Sequence, residues 1–236
     1  MNKLLRNACR LLMSALLLLV TLAVVQALIR FPWEFDRRRL VMPLAAGFGA
    51  GLLFFILVSR LLVLYVFGHE LTHWLAAKLF MRKTGPFRVG RARGSVAIER
   101  PNIWIVLAPY FIPVYALMVL GAYGITDFCW PARPDWLVPA TAAAVGVAYA
   151  FHLRLTVFAL SREQSDLGNH GRMLSFAVIV LGNVLLLYLS CMAATRQWHA
   201  PAVLAWGNLQ RNLRWCLSGL SAAGACHCRV AAMQLR

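Results

Sequence analysis

The chain has 236 residues, of which 61% are hydrophobic and only 14% are charged. This composition excludes a soluble domain with an ordinary core and predicts an all-α polytopic membrane protein with about six transmembrane helices. The formal net charge of +16 is carried mostly at the ends of the apolar runs. We therefore attribute it to topology signals and lipid headgroups and expect no nucleic-acid partner.

The first 39 residues predict an N-terminal span followed by a basic loop. Three basic residues precede an apolar run at 11–29, a pattern that also resembles a signal peptide. The run is longer than a signal core, which favours an uncleaved span. The next span, at 40–59, is rich in glycine and alanine, and such small residues let neighbouring helices approach closely.

The third span, at 61–80, contains the most specific motif, in which His69 and Glu70 are followed by His73. Residues four apart project from one face of a helix, so the two imidazoles lie one turn apart. This is the HExxH pattern, in which two neutral histidines bind zinc and the glutamate takes a proton from the attacking water. The alternative is two histidines that only cap a polar patch in a helix bundle. Ionisable groups are costly within a membrane and tend to mark a functional site, which favours the metal site.

The segment at 81–101 differs in character, with six basic residues and three glycines. Residues 87–89 and 95–98 alternate polar and apolar side chains, as short strands do. We therefore predict a small β-hairpin at the membrane surface, with a solvated basic loop as the alternative.

Three further spans are predicted at 102–124, 137–160 and 173–195, and they complete a membrane-embedded core at residues 40–195. Pro109 and Pro113 interrupt the first of these spans. A proline has no N–H for the carbonyl four residues before it, so each proline frees a carbonyl and bends the helix. The tail, at 196–236, predicts a basic amphipathic helix that rests on lipid headgroups.

We expect a polar, water-filled cavity between the third, fourth and sixth spans, because the chemistry needs water inside the membrane. His152 and Arg154 are candidates to line it. The alternative for both is an ion pair or an interfacial anchor.

The orientation follows from counting Lys and Arg in the short loops. If every span alternates, loops 30–39, 81–100 and 161–172 share one side and hold twelve basic residues, against Arg60 and Arg133 on the other. We therefore predict a multi-pass protein of the cell (inner) membrane whose site opens to the cytoplasmic side. The basic N-terminus and tail then lie outside, against the rule, and Asp127 and Asp135 lie on the side opposite to the site.

A catalytic zinc needs three protein ligands and one open position, and the helix supplies only two. The candidates for the third are His152, Glu163, Asp166 and His170. Asp166 stands where a polar segment meets the sixth span, and Gly168 lets the backbone bend there so that a carboxylate can point into the bundle. His152 lies fourteen residues earlier, about 21 Å along a continuous helix. The two would therefore not bind the same ion.

These features together resemble the site-2 protease family of membrane zinc metallopeptidases. The resemblance covers residues 40–195 and rests on the intramembrane HExxH, the basic segment and the Asp-x-Gly-type element at Asp166. It implies one zinc ion per chain bound by His69, His73 and Asp166, with Glu70 as the general base. The implied reaction is hydrolysis of peptide bonds in membrane-anchored substrates. The basic segment would correspond to the family's β element, which helps to hold an extended substrate.

The chain departs from the family at its second motif, which is usually Asn-Pro-Asp-Gly or Leu-Asp-Gly. Here Asp166 is followed by Leu167 and Gly168, and the upstream Asn and Pro are missing. The group that would stabilise the oxyanion is therefore unassigned, with Asn169 and Asn183 as candidates.

Two other functions are compatible with the same residues. One is a non-catalytic relative that binds a membrane partner and keeps the metal for structure; an intact Glu70 disfavours it, because structural zinc needs no general base. The other is a metal transporter, which would need polar residues along several spans, whereas here they cluster at one depth. The predicted partners are thus a membrane-anchored protein or peptide substrate and, through the basic loops and tail, lipid headgroups.

Overall fold

The computed structural model describes residues 3–31, 36–58, 62–90, 94–130, 132, 134–161 and 171–234, with only the backbone for Lys3, Leu62, Phe158, Ser161 and 219–234. This part of the chain is mostly helical with one two-stranded antiparallel sheet, as predicted. Contacts divide the chain into two compact units, one of Glu34–Asn183 and one of Met1–Trp33 with Val184–Arg236. The division by sequence region at residues 39 and 195 stays a prediction.

The elements follow one another in the order that the apolar runs indicate. They are α1 (Lys3–Ile29), a π-helical turn (Arg37–Val41), α2 (Met42–Leu57), α3 (Leu62–Leu79), β1 (Thr84–Val89), β2 (Gly94–Ile98), α4 (Ile103–Leu107), a 3₁₀ turn (Ala108–Tyr110), α5 (Val114–Cys129), α6 (Leu137–Ser161), α7 (Arg172–Thr195) and α8 (His199–Gln234).

Helices α2 and α6 pack closely through their small residues, as the composition of the second span predicted. A Cβ on Gly47 would lie 2.1 Å from the carbonyl oxygen of Ala143, and one on Gly51 would lie 2.9 Å from the Cα of Val147. Larger residues would push the two backbones apart. From Gly47 to Gly51 the contact moves four residues along α2, and from Ala143 to Val147 it moves four residues along α6 in the same direction. The two helices therefore run parallel.

An ion pair marks the shared end of these two helices. A guanidinium nitrogen of Arg39, just before α2, lies 3.3 Å from a carboxylate oxygen of Asp135, just before α6. The assumption that each predicted span crosses the membrane once placed these two residues on opposite sides of the membrane, and that assignment is wrong. If α2 and α6 both cross the membrane, the chain crosses it once between them, through α3 or through α4–α5, and not twice.

Four helices in the described part of the chain are long and apolar enough to span a membrane. They are Leu4–Ile29, Arg37–Leu57, Leu137–Val157 and Arg172–Thr195. Ile103–Tyr110 and Val114–Cys129 pass the same test together but bend by 81° at the break between them, as a broken span or a re-entrant loop does. The predicted fourth span is this bent pair. Helix α3 is not in the set, because its His, Glu and Lys side chains lower its hydropathy.

The basic segment forms the predicted β-hairpin and is not simply a solvated loop. Its strands pair antiparallel, with Phe87 opposite Val96 and Val89 opposite Gly94. The pairing is irregular between Thr84 and Phe87. Pro86 lies in that interval, where a residue without an N–H is tolerated.

The second unit pairs α1 with α8 through side-chain amides. The Nδ2 of Asn208 donates to the carbonyl of Ala23 at 3.2 Å, and the Nδ2 of Asn212 to the Oε1 of Gln26 at 3.2 Å. Asn208 is buried, whereas large apolar residues of the same helix such as Trp215 are exposed. The tail is therefore helical as predicted, and its two asparagines pair with α1. Its placement on lipid headgroups stays a prediction.

Candidate metal centre

Helix α3 brings the two motif histidines to one point, as their spacing predicted. The Nε2 atoms of His69 and His73 are 3.2 Å apart, and the two rings meet edge to face. Two nitrogens bound tetrahedrally to one zinc at about 2.0–2.1 Å lie roughly 3.3 Å from each other. The pair therefore fits two ligands of a single zinc ion.

The carbonyl of Ile105 fixes the ring of His73. The Nδ1 of His73 lies 2.9 Å from that oxygen, so in the neutral imidazole the Nδ1–H donates to it and the Nε2 lone pair is left for a metal. In a regular helix this carbonyl would accept from the residue four positions later, which is Pro109 and has no N–H. Asn102 caps α4 by accepting from the Ile105 N–H at 2.9 Å. The freed carbonyl is thus used at the second histidine of the motif.

The start of β2 lies directly against Glu70. A Cβ on Gly94 would come within 2.6 Å of the Cγ of Glu70 and of a methyl carbon of Val66, so only glycine fits without displacement. Phe87 of β1 packs edge to face on Phe67 of α3, with ring centroids 6.0 Å apart. The hairpin is therefore seated on the face of α3 that carries the carboxylate.

Two tyrosine rings pack near His69, and an asparagine is bonded to the backbone of one of them. The rings of Tyr65 and Tyr110 lie 5.6 and 5.8 Å from the imidazole, centroid to centroid. Asn183 donates from its Nδ2 to the carbonyls of Tyr110, at 3.1 Å, and of Ile179, at 2.9 Å. Both amide hydrogens are thus used within the fold, which leaves neither of them for a substrate oxygen.

A cavity of about 30 Å³ borders His69 and has room for at least one water molecule. Its walls are α3, the break between α4 and α5, and α6. The predicted cavity is thus present at the proline bend, but its third wall is the fifth predicted span and not the sixth. His152 lines it, whereas Arg154 is not among the described lining residues.

The predicted third ligand, Asp166, lies outside the described residues, as do Glu163, Asn169 and His170. Within the ranges that the structure describes, no three or more His, Cys, Asp and Glu side chains form a group that could hold a metal ion. His152 therefore does not join the motif histidines as a third ligand in this arrangement. The described part of the centre is a two-histidine site with a neighbouring carboxylate.

No protein-family model, no curated protein and no solved structure matches this chain. The resemblance to the site-2 proteases consequently rests on the motif residues of the sequence.

Proposed function

We propose that the chain is a membrane-embedded zinc metalloprotease that hydrolyses peptide bonds of membrane-associated substrates. The observation that supports it most is the convergence of the His69 and His73 nitrogens at 3.2 Å, with the second ring oriented by a carbonyl that Pro109 frees. Such a carbonyl partner fixes the tautomer and the direction of a metal-binding histidine.

His69 and His73 would hold the ion, with Asp166 as the proposed third ligand. Bound there, zinc would supply a Lewis acid that polarises the scissile carbonyl and lowers the pKa of a water molecule towards about 7. Glu70 takes the proton of the attacking water and passes it to the leaving amine. The contact with Gly94 limits how far the side chain of Glu70 can turn towards the hairpin.

The hairpin and the cavity suggest how a substrate could reach Glu70. A helical substrate hides its carbonyls in hydrogen bonds, so its backbone must become extended before attack. The described sheet has only two strands, and β2 begins beside Glu70. An extended peptide added to such a sheet would gain backbone hydrogen bonds close to the reacting groups. The cavity beside His69 supplies room for water.

The membrane side is a separate part of the proposal. If α3 is the single crossing between α2 and α6, residues 30–39 and 81–100 lie on one side of the membrane. They carry ten of the 24 Lys and Arg residues, and such loops tend to lie on the cytoplasmic side of the inner membrane. We accordingly propose that the hairpin and the site open towards the cytoplasm.

The decisive experiment compares the purified wild type with Glu70→Gln, which keeps the size of the side chain and removes the base. Bound zinc is measured together with cleavage of a membrane-anchored peptide. We expect one zinc per chain in both proteins and a loss of cleavage of roughly 10²–10⁴-fold in the variant. Glu99→Gln, at the far end of the hairpin, is the matched control and should cleave normally.

Other outcomes point to the other functions. Full cleavage by Glu70→Gln rules out the base mechanism. Zinc in both proteins without cleavage by either favours the non-catalytic relative. Zinc flux across vesicles in place of cleavage favours the transporter.

A further inference from the structure

Helix α6 turns two polar side chains into the cavity beside His69. His152 and Thr156 are four residues apart and so share one face of the helix, and both line the cavity. His152 is only 9% exposed. Within the part of the chain that the structure describes, neither the Nε2 of His152 nor the hydroxyl of Thr156 has a hydrogen-bond partner.

Thr156 differs in this respect from four other threonines in the described helices. A helical threonine commonly donates to the carbonyl four residues earlier, and four in this chain do so at 2.7–2.9 Å: Thr21, Thr72, Thr126 and Thr195. For Thr156 that acceptor would be the carbonyl of His152, and its hydroxyl does not bond to it. A buried polar group without a partner destabilises the fold. An imidazole and a hydroxyl that both face one cavity therefore indicate a ligand that binds them together.

The first turn of α5 brings a positive partial charge to the same cavity. Val114 and Tyr115 line it, and the N-cap residue Pro113 offers no side-chain hydrogen bond to this turn. The first N–H groups of a helix have no acceptor within it. Here the Val114 N–H donates to the carbonyl of Ile112 at 2.9 Å, and the dipole of the 16-residue helix is positive at this end. Together with the imidazole and the hydroxyl, this environment suits a negatively charged oxygen.

We propose that His152 and Thr156 bind the carbonyl oxygen of the scissile peptide bond as it becomes an oxyanion. The inference rests on the proposed protease function. It assigns the group that stabilises the oxyanion, which the second motif of this chain does not supply. The oxygen of water bonds to the carbonyl carbon, the C=O π electrons move onto the carbonyl oxygen, and Glu70 takes the proton. The Nε2–H of His152 and the Oγ–H of Thr156 then donate to that oxygen. The C–N bond breaks as the amine leaves with the proton from Glu70.

The test uses the full-length protein with a membrane-anchored peptide and a peptide phosphonamidate, whose tetrahedral anionic oxygens resemble the oxyanion. Thr156→Val keeps the shape of the side chain without the hydroxyl, and His152→Leu removes the imidazole. We expect kcat to fall roughly 10²–10³-fold in each, with KM, zinc content and Tm unchanged. Affinity for the phosphonamidate should fall with kcat.

Conservative variants separate donation from packing. Thr156→Ser and His152→Gln keep a donor near the original position and should recover most of kcat and of phosphonamidate affinity. Thr141→Val is the matched control, because Thr141 lies on the same helix but is not among the described lining residues. It should leave kcat unchanged.

The outcomes separate this inference from the proposed function. If the wild type cleaves and Glu70→Gln does not, while Thr156→Val and His152→Leu keep wild-type kcat and phosphonamidate affinity, the oxyanion role is overturned and the protease stands. A variant that loses zinc or unfolds also counts against the oxyanion role. Such a loss is expected of a residue that maintains the structure, and not of one that only donates to the oxyanion. A wild type that neither cleaves nor binds the phosphonamidate overturns both proposals.

Discussion

Two helical histidines in the same unit have opposite surroundings. On α3, His73 has its Nδ1 bound to the carbonyl of Ile105, which directs its Nε2 towards His69. On α6, His152 is buried beside a cavity and its Nε2 has no partner among the described residues. A ring with a fixed backbone partner offers one defined lone pair, which suits a metal. A buried Nε2 without a partner suits a group that is not part of the chain.

The largest expected effect separates these two histidines by metal content. His73→Ala removes a ligand and should abolish stoichiometric zinc binding and cleavage together. His152→Leu should keep one zinc per chain, because the ring is not expected to ligate the ion. Zinc analysis of both purified variants checks this difference. Equal loss of zinc in the two variants would contradict the claim that His73 binds the ion and His152 does not.

Pro109→Ala tests the carbonyl that positions His73. An alanine has an N–H that can bond to the Ile105 carbonyl and compete with the imidazole. Loss of such an outer partner typically weakens metal binding about 10–100-fold, and competition with a chelator measures it. Pro43→Ala, in the first turn of α2 where a missing N–H matters little, is the matched control. Unchanged zinc affinity in Pro109→Ala would show that the proline does not serve the metal centre.

Gly94→Ala tests the contact between the hairpin and the base. The added Cβ would lie 2.6 Å from the Cγ of Glu70, so the strand or the side chain must shift. A displacement near 1 Å can cost about 100-fold in rate; since the hairpin can give way in part, we expect kcat to fall about tenfold with zinc retained. Gly121→Ala, whose Cβ would meet nothing within 4 Å, should leave kcat unchanged. Equal kcat in the two variants would contradict the contact.

The smallest effect concerns the parallel helices. Asp135→Asn should barely change thermal stability, since exposed ion pairs contribute roughly 0–1 kcal/mol. The geometry is better tested by single cysteines at Arg39 and Asp135 and an impermeant maleimide in oriented vesicles. Both should be labelled from one side, and a cysteine at Val58, at the other end of α2, from the opposite side. Labelling of positions 39 and 135 from opposite sides would restore the alternating topology.

Local patterns were sufficient for most of the fold. Helical spacing of His69 and His73 predicted their convergence, and the alternation in residues 87–89 and 95–98 predicted the hairpin. The proline rule predicted a freed carbonyl at the bend. These predictions depend on neighbours within one or two turns of chain, which a sequence displays directly.

Long-range pairing could not be predicted in the same way. Counting charges assumes that every apolar run crosses the membrane once, and the 81° bend between α4 and α5 shows why composition alone cannot count crossings. The ion pair of Arg39 with Asp135 joins loops almost a hundred residues apart.

Part of the site also escaped prediction. Which residue accepts from His73 depends on where α4 packs, although the spacing of Ile105 and Pro109 was a usable signal. Thr156 carried a similar signal, four residues after His152, but its unpartnered hydroxyl is visible only in the fold. Asp166 stays a prediction, because it lies outside the described residues.

The most direct test of the metal centre is X-ray absorption at the zinc edge on the purified, zinc-loaded protein. We predict two imidazole nitrogens at about 2.0–2.1 Å, and the loss of this signal in His73→Ala but not in His152→Leu. Zinc bound without imidazole scattering, or the same spectrum in His73→Ala, would contradict a centre built on His69 and His73.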